Sequence, residues 1–301
     1  MAVSREQIFS GCDYDLAATL GCGQAFRWRE ENGAWTGVIH GRWVRLRAEK
    51  DSIVAETAVP QTDWRWLADY LQTDADYAAI LASFPDDEPM RAAVRACRGL
   101  RLLRQETWEC LASFILSSTK QIVQIRQIVE LLCDRFGEPV VTLPLTRPSD
   151  MRSPPGGAGG ARGCSFSFPP ASRIAELTEK DLRDCKMGFR APYLLATAQA
   201  VAGSEIDLSA LRWLPVDAAR AELLRLPGVG RKIADCVLLF GLGFDGAFPI
   251  DVWVRRALQE LYFPKRRASA KRIENFAATH FGSHAGYAQQ YLFHYMRTKL
   301  P

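Results

Sequence analysis

The order of apolar and polar positions divides the chain into an early stretch of period two and a long remainder of period three to four. From Gln24 to about Val54, the runs AFRW, AWTGVIH and WVRLR are separated by Asn32-Gly33 and by Gly41, and Val44 and Leu46 alternate with Arg45 and Arg47. Turn residues between alternating runs predict antiparallel strands with one buried and one solvated face. From Gln61 onward Trp64, Leu67, Tyr70 and Leu71 fall on one helical stripe, and short helices follow to about Arg98.

Beyond residue 100 every periodic segment reads as helix. Glu106 to Leu116 is strongly apolar, Ser117-Ser118 offers capping hydroxyls, and a long helix runs on to Phe136 before Gly137. Thr178 and Asp181 have capping-box spacing for a helix from Thr178 to Lys186, ended by Gly188, with Phe189 and Arg190 on the loop that follows. Helices resume at Tyr193 to Ala202 and Val216 to Leu226. The stretch SDMRSPPGGAGGARG, about residues 147–163, holds too much Pro and Gly to bury apolar surface and is expected to be a disordered surface insertion. The pattern predicts an α+β fold, mostly α, with an antiparallel sheet domain over residues 1–100 and a helical domain over 101–301.

Composition sharpens this outline. A hydrophobic content of 48% supports a folded interior. No run reaches the eighteen or so apolar residues needed to cross a bilayer, and the first ten residues show no signal-peptide core or other targeting signal. A soluble intracellular monomer is therefore expected, in the cytoplasm or nucleoid of a bacterium or in a eukaryotic nucleus. The eight cysteines are scattered and form no CxxC pair, which predicts free buried thiols, no structural zinc, no iron–sulfur cluster and no cofactor. A formal net charge of +4 permits nucleic-acid binding without establishing it.

The chemistry-bearing segment is Leu226-Pro-Gly-Val-Gly-Arg-Lys-Ile-Ala-Asp-Cys236. Its Gly228-Val229-Gly230 turn lets backbone approach a partner closely, and the amides of Val229 to Arg231 at the following helix N-terminus would suit a phosphate. Nineteen residues beyond Lys232, Pro249-Ile250-Asp251-Val252 places the aspartate as N-cap of a helix to Leu261. By itself such a turn is more often just the corner of an ordinary helical hairpin.

Together, LPGVGRKIADCVLLFGLG and FPIDVWVRRAL resemble the helix-hairpin-helix glycosylase superfamily, and a lysine at position 232 is similar to its bifunctional members. Three further segments resemble the 8-oxoguanine DNA glycosylases of the eukaryotic type: Gly23-Gln-Ala-Phe-Arg-Trp28, RLLRQETWECLASFILSS, and Ala285-Gly-Tyr-Ala-Gln-Gln-Tyr-Leu-Phe293. The resemblance covers Thr19 to about Arg297, the insertion excepted. It implies a TBP-like sheet domain packed on two helical subdomains, and excision of oxidised guanine from double-stranded DNA containing 8-oxoguanine.

The resemblance also assigns roles. Lys232 would attack the sugar to form an imine, with Asp251 stabilising developing positive charge and β-elimination nicking the strand. Cys236 and Phe293 would be opposite walls of the base pocket, Gln289 would read the Watson–Crick edge, and the Gly23 carbonyl would accept the extra N7 proton. Gly228, Val229, Gly230 and Arg231 would hold the backbone, Phe189 would wedge the vacated stack, and Arg190 would contact DNA beside it. Where the family carries an Asn-rich turn and then an arginine, this chain has Thr119-Lys120-Gln121 and Gln124. With Thr119 and Lys120 in that turn, a weakened preference for cytosine opposite the lesion is expected, and Arg190 is the remaining candidate reader. A histidine and its acidic partner are likewise replaced by Trp253 and Met296, which implies an altered phosphate contact. Two alternatives stay open: the same fold excising alkylated purines, or a DNA-binding module without chemistry.

Overall fold

One antiparallel sheet is built from β1 (Ser4–Ser10), β2 (Arg29–Glu31), β3 (Ala34–Ile39), β4 (Arg42–Glu49) and β5 (Ser52–Gln61), in the order β1-β5-β4-β3-β2. The computed structural model describes residues 3–143 and 166–299; the expected insertion at 147–163 lies outside them. Asn32-Gly33 closes β2 on β3, and the β3–β4 register sets Gly37 opposite Val44 and Trp35 opposite Leu46. Val44 and Leu46 are fully buried, whereas Arg45 is half-buried and pairs with Glu56 on β5. The alternation therefore separates the two faces of the sheet as predicted.

Three details differ from the sequence reading. The edge strand β1 precedes the predicted start at Gln24, and β5 runs past Val54 to Gln61. An edge strand buries little, so SREQIFS carries only a weak alternation. AFRW is not a strand: Ala25, Phe26, Arg27 and Trp28 are all buried, and Trp28 Nε1 donates to Tyr70 Oη at 2.9 Å. A segment enclosed on every side shows no period. Finally, Ser117 ends the helix before it, and the next helix begins after Gln121, whose amide donates to Gln124 Oε1 at 3.2 Å.

The helices follow as α1 (Leu16–Gly21), α2 (Arg65–Leu71), α3 (Tyr77–Ala82), α4 (Glu88–Cys97), α5 (Thr107–Leu116), α6 (Ile122–Phe136), α7 (Ala171–Ala175), α8 (Glu179–Asp184), α9 (Ala191–Ala202), α10 (Val216–Leu224), α11 (Arg231–Cys236), α12 (Val252–Tyr262), α13 (Ala270–His280) and α14 (Ala285–Lys299). The capping box at Thr178 and Asp181 is formed. Phe189 and Arg190 lie in a short 3-10 turn that runs directly into α9, rather than in an open loop. From Val237 to Leu242 the chain continues α11 as a wider π-helical stretch, ending at Gly243.

Leu16, Leu20, Trp28, Val44, Leu46 and Ile53 form a core under the sheet, covered by Leu67 and Leu71 of α2. A larger core runs through the helices, with Leu111 and Phe114 of α5 packed against Val237 to Phe240. Burying each large apolar side chain contributes about 1.5–3 kcal/mol, so packing rather than intrinsic propensity holds short helices such as α11. No described helix is long and apolar enough to cross a membrane. The described cysteines are all free, and among the described residues no His, Cys, Asp and Glu cluster could hold a metal ion.

Candidate active site and nucleic-acid interface

Helices α10 and α11 meet at the Pro227-Gly228-Val229-Gly230 turn. Gly228 has φ +77°, and a Cβ there would lie 2.7 Å from the Tyr193 side chain, so both the backbone conformation and the close contact demand glycine. The turn departs from expectation at Val229. Its side chain is buried and its amide donates to the Leu226 carbonyl at 3.1 Å, leaving Gly230 and Arg231 to present the free first amides of α11. The exposed Arg231 guanidinium stands 3.8 Å from Asp235, which Arg220 already engages at 2.7 Å.

Lys232, in the first turn of α11, points its amine into a cavity of about 430 Å³, a volume usual for small-molecule sites. Nζ donates to Ser117 Oγ at 3.1 Å and lies 5.0 Å from the centre of the Phe114 ring. Four residues later Cys236 lines the same cavity, as helical spacing requires. Burial pushes the Cys236 thiol up to about 12, so this wall of the cavity is a neutral group.

Asp251 enters from the N-terminus of α12. One carboxylate oxygen caps the helix by accepting from the Val254 amide at 2.8 Å, and the residue also lines the cavity beside Lys232. Burial raises the Asp251 carboxyl above its ordinary value, opposed by the Val254 amide and by the charge of Lys232. Capping and a place in the cavity are thus combined in one side chain.

The remaining walls come from distant segments. Gly23, at φ +91°, has room for no side chain: a Cβ would stand 2.3 Å from Ile122 Cδ1. Phe293 and Gln289 line the cavity from α14, and the Arg297 guanidinium covers the Phe293 ring at 5.3 Å while donating to the Cys22 carbonyl at 3.0 Å. Gln289 is buried, yet its Oε1 has no hydrogen-bond partner. An unmatched buried acceptor costs about 1–3 kcal/mol, which a ligand with a suitable donor would recover.

The cavity thus gathers Lys232, Asp251, Gly23, Cys236, Gln289, Phe293 and Lys120. It does not gather Thr119, Phe189 or Arg190. Phe189 is exposed, with Arg190 stacked on it at 4.2 Å. Arg190, expected to contact DNA, has a buried guanidinium that donates to Ser118 O, to Thr119 Oγ1 at 2.6 Å and to Met187 O at 3.2 Å. Thr119 is thereby held at φ +58°, an uncommon conformation for a β-branched residue. Trp253 lines the cavity, whereas Met296 is buried in the core.

Sequence reasoning missed Ser117, Phe114 and Arg297. Ser117 reads as a capping residue and Phe114 as plain core, because nothing local marks either as a neighbour of Lys232. A larger cleft of about 990 Å³, lined by Trp66, Arg104 and Arg212 among others, holds none of the predicted catalytic, pocket or DNA-contact residues. Size alone therefore does not identify the site.

Residues 8–111 match the family model for the 8-oxoguanine DNA glycosylase N-terminal domain, and residues 112–281 that of the HhH-GPD superfamily of base excision DNA repair proteins. A probable N-glycosylase/DNA lyase of Methanothermobacter thermautotrophicus is 31% identical, over 95% of this chain and 94% of its own. The structure of MBOgg1 in complex with a low-affinity DNA ligand superposes with TM-score 0.87 at 33% identity, covering 99% of both chains. The Clostridium acetobutylicum 8-oxoguanine glycosylase/lyase, in complex with double-stranded DNA containing cytosine opposite 8-oxoG, gives TM-score 0.86 at 29% identity over 99% of this chain and 98% of its own.

Proposed function

The chain belongs to the HhH-GPD superfamily of base excision DNA repair proteins and carries the N-terminal domain of the 8-oxoguanine DNA glycosylases, and from that premise we propose how its cavity works. The protein is a DNA glycosylase with AP lyase activity that acts on 8-oxoguanine in double-stranded DNA. Excision of alkylated purines and a purely DNA-binding role are not favoured. Its place of action follows its substrate, wherever the cell keeps duplex DNA.

The observation that carries the residue assignment is the meeting of Lys232 and Asp251 in one cavity with the unpartnered Gln289 carbonyl. An extruded base costs a few kcal/mol of stacking and needs a pocket with fixed polar partners. The base would lie between Cys236 and Phe293. Gln289 Oε1 would accept from its Watson–Crick edge, and the Gly23 carbonyl would accept from N7–H, a proton guanine lacks.

With the base held, the Lys232 amine, once its lone pair is free, attacks the sugar's first carbon as the glycosidic bond breaks. The ionised Asp251 carboxylate offsets positive charge on the sugar and takes up protons during imine formation. Ser117 holds the amine through its hydroxyl. The imine acidifies the neighbouring carbon, and β-elimination then cleaves the strand. Phe189 fills the gap left by the flipped nucleotide, while Gly228, Gly230 and Arg231 hold its backbone.

Borohydride reduction during turnover on an 8-oxoguanine duplex tests this directly. A covalent protein–DNA adduct is expected from the parent chain and none from Lys232→Gln; an adduct that survives the substitution would remove Lys232 from its role.

A further inference from the structure

Charge is distributed unevenly along the chain. Residues 252–276 hold seven cations and two carboxylates, a net +5, while the whole chain nets +4, so everything else sums to −1. Arg255 and Arg256 lie on α12, Lys265, Arg266 and Arg267 on the connection, and Lys271 and Arg272 in the first turn of α13. Positive charge there opposes the α13 dipole, which favours anions at that end.

Little within the fold relieves this concentration. Arg256 pairs with Glu260 at 2.7 Å, and Arg272 stacks on Phe263 at 4.9 Å. Arg255, Lys265, Arg266, Arg267 and Lys271 have no carboxylate within ion-pair distance among the described residues. The connection is nevertheless built rather than loose. Gln259 Nε2 donates to the Phe263 and Arg266 carbonyls at 2.5 and 3.2 Å, and its Oε1 accepts from the Ala268 amide at 2.8 Å.

Between α12 and α13, Arg255, Arg256 and Arg267 of this set line a groove of about 650 Å³ together with Val252. Val252 is 76% exposed, and the next residue, Trp253, lines the catalytic cavity. Adjacent residues in the first turn of α12 thus line the groove and the cavity.

We infer that the α12–α13 groove is a second phosphate track, which binds the sugar-phosphate backbone of duplex flanking the extruded nucleotide through Arg255 and Arg267. This rests on the glycosylase reading and adds to it a grip that is independent of the hairpin. Contacts to phosphate alone read no bases, so the track strengthens binding to damaged and undamaged duplex equally.

The test compares the parent chain with the Arg255→Gln/Arg267→Gln double variant on matched duplexes with and without 8-oxoguanine, across a salt series. Each lost phosphate contact lowers the slope of log K against log salt by about 0.9, so the slope is expected to fall by about 2. Affinity should drop by the same factor on both duplexes, while single-turnover excision at saturating protein and low salt stays within about twofold of the parent. An unchanged slope overturns the track, as does a loss confined to the lesion duplex. The borohydride adduct of the parent is scored separately: its absence overturns the glycosylase reading, whereas an adduct with an unchanged slope overturns the track alone.

Discussion

Lys232 Nζ donates a 3.1 Å hydrogen bond to Ser117 Oγ, and Ser117 Oγ in turn donates to the Phe114 carbonyl at 2.7 Å. The hydroxyl is thereby oriented, with a lone pair toward the amine and its proton committed to α5. A lysine side chain loses about 1.5–2 kcal/mol of rotamer freedom when fixed, and this contact with the Phe114 ring meets part of that requirement before DNA arrives. Replacing Ser117 by Ala is expected to slow imine formation about tenfold in single-turnover trapping, with lesion affinity unchanged. Equal rates would leave Ser117 with a capping role only.

Asp251→Asn separates catalysis from stability. Asn caps a helix as well as Asp, so α12 remains formed, while loss of the carboxylate should lower turnover about 10²–10⁴-fold. Burial raises the Asp251 carboxyl, so the fold penalises its ionised form. That penalty is absent below the unfolded pKa and grows as pH rises through the folded one, so the Asn variant should melt no lower than the parent at neutral pH. On the acid side, parent activity should fail above the pH at which a free aspartate protonates. Thermal melts and a pH–rate profile of both proteins check these signs.

Gln289→Ala removes an acceptor that nothing in the protein satisfies. Excision of 8-oxoguanine is expected to fall about 10–100-fold, the loss of one buried hydrogen bond to the base, with no loss of thermal stability. A destabilised variant with normal excision would assign Gln289 to the core instead.

Thr119 and Arg190 satisfy one another, and that pairing is expected to hold both back from the base opposite the lesion. Cleavage rates opposite cytosine, adenine, guanine and thymine are expected to agree within about threefold, since discrimination by a good bidentate contact needs about 1–3 kcal/mol. A hundredfold bias toward cytosine would show that Arg190 leaves its buried site on DNA.

Gly228→Ala tests the hairpin. The added Cβ meets Tyr193 at 2.7 Å on a backbone at φ +77°, and such strain costs about 1–3 kcal/mol. Displacement of the turn should weaken binding to undamaged duplex as much as to damaged duplex; a loss on damaged duplex alone would argue against a backbone contact.

Local rules made much of the chain legible. The Val44/Leu46 alternation, the Thr178–Asp181 capping box and the Asn32-Gly33 turn are each decided within a few residues, and each appears where it was expected. The same rules failed at AFRW and at Ser4–Ser10, where full burial and edge position remove the alternation they depend on. The burial of Arg190 against the 117–119 turn was likewise out of reach, because nothing near it in the chain marks Ser118 and Thr119 as its partners.

By itself the sequence determined most of the elements, the hairpin at Gly228, the helical face shared by Lys232 and Cys236, and the cap at Asp251, since spacing along one helix sets which side chains share a face. Only the tertiary structure decided that Ser117 receives the Lys232 amine, that Gly23 and Gln289 face that amine across one cavity, and that Arg190 is spent on Thr119. Those meetings join segments up to hundreds of residues apart, and they follow from how buried surfaces fit together, which no local period records.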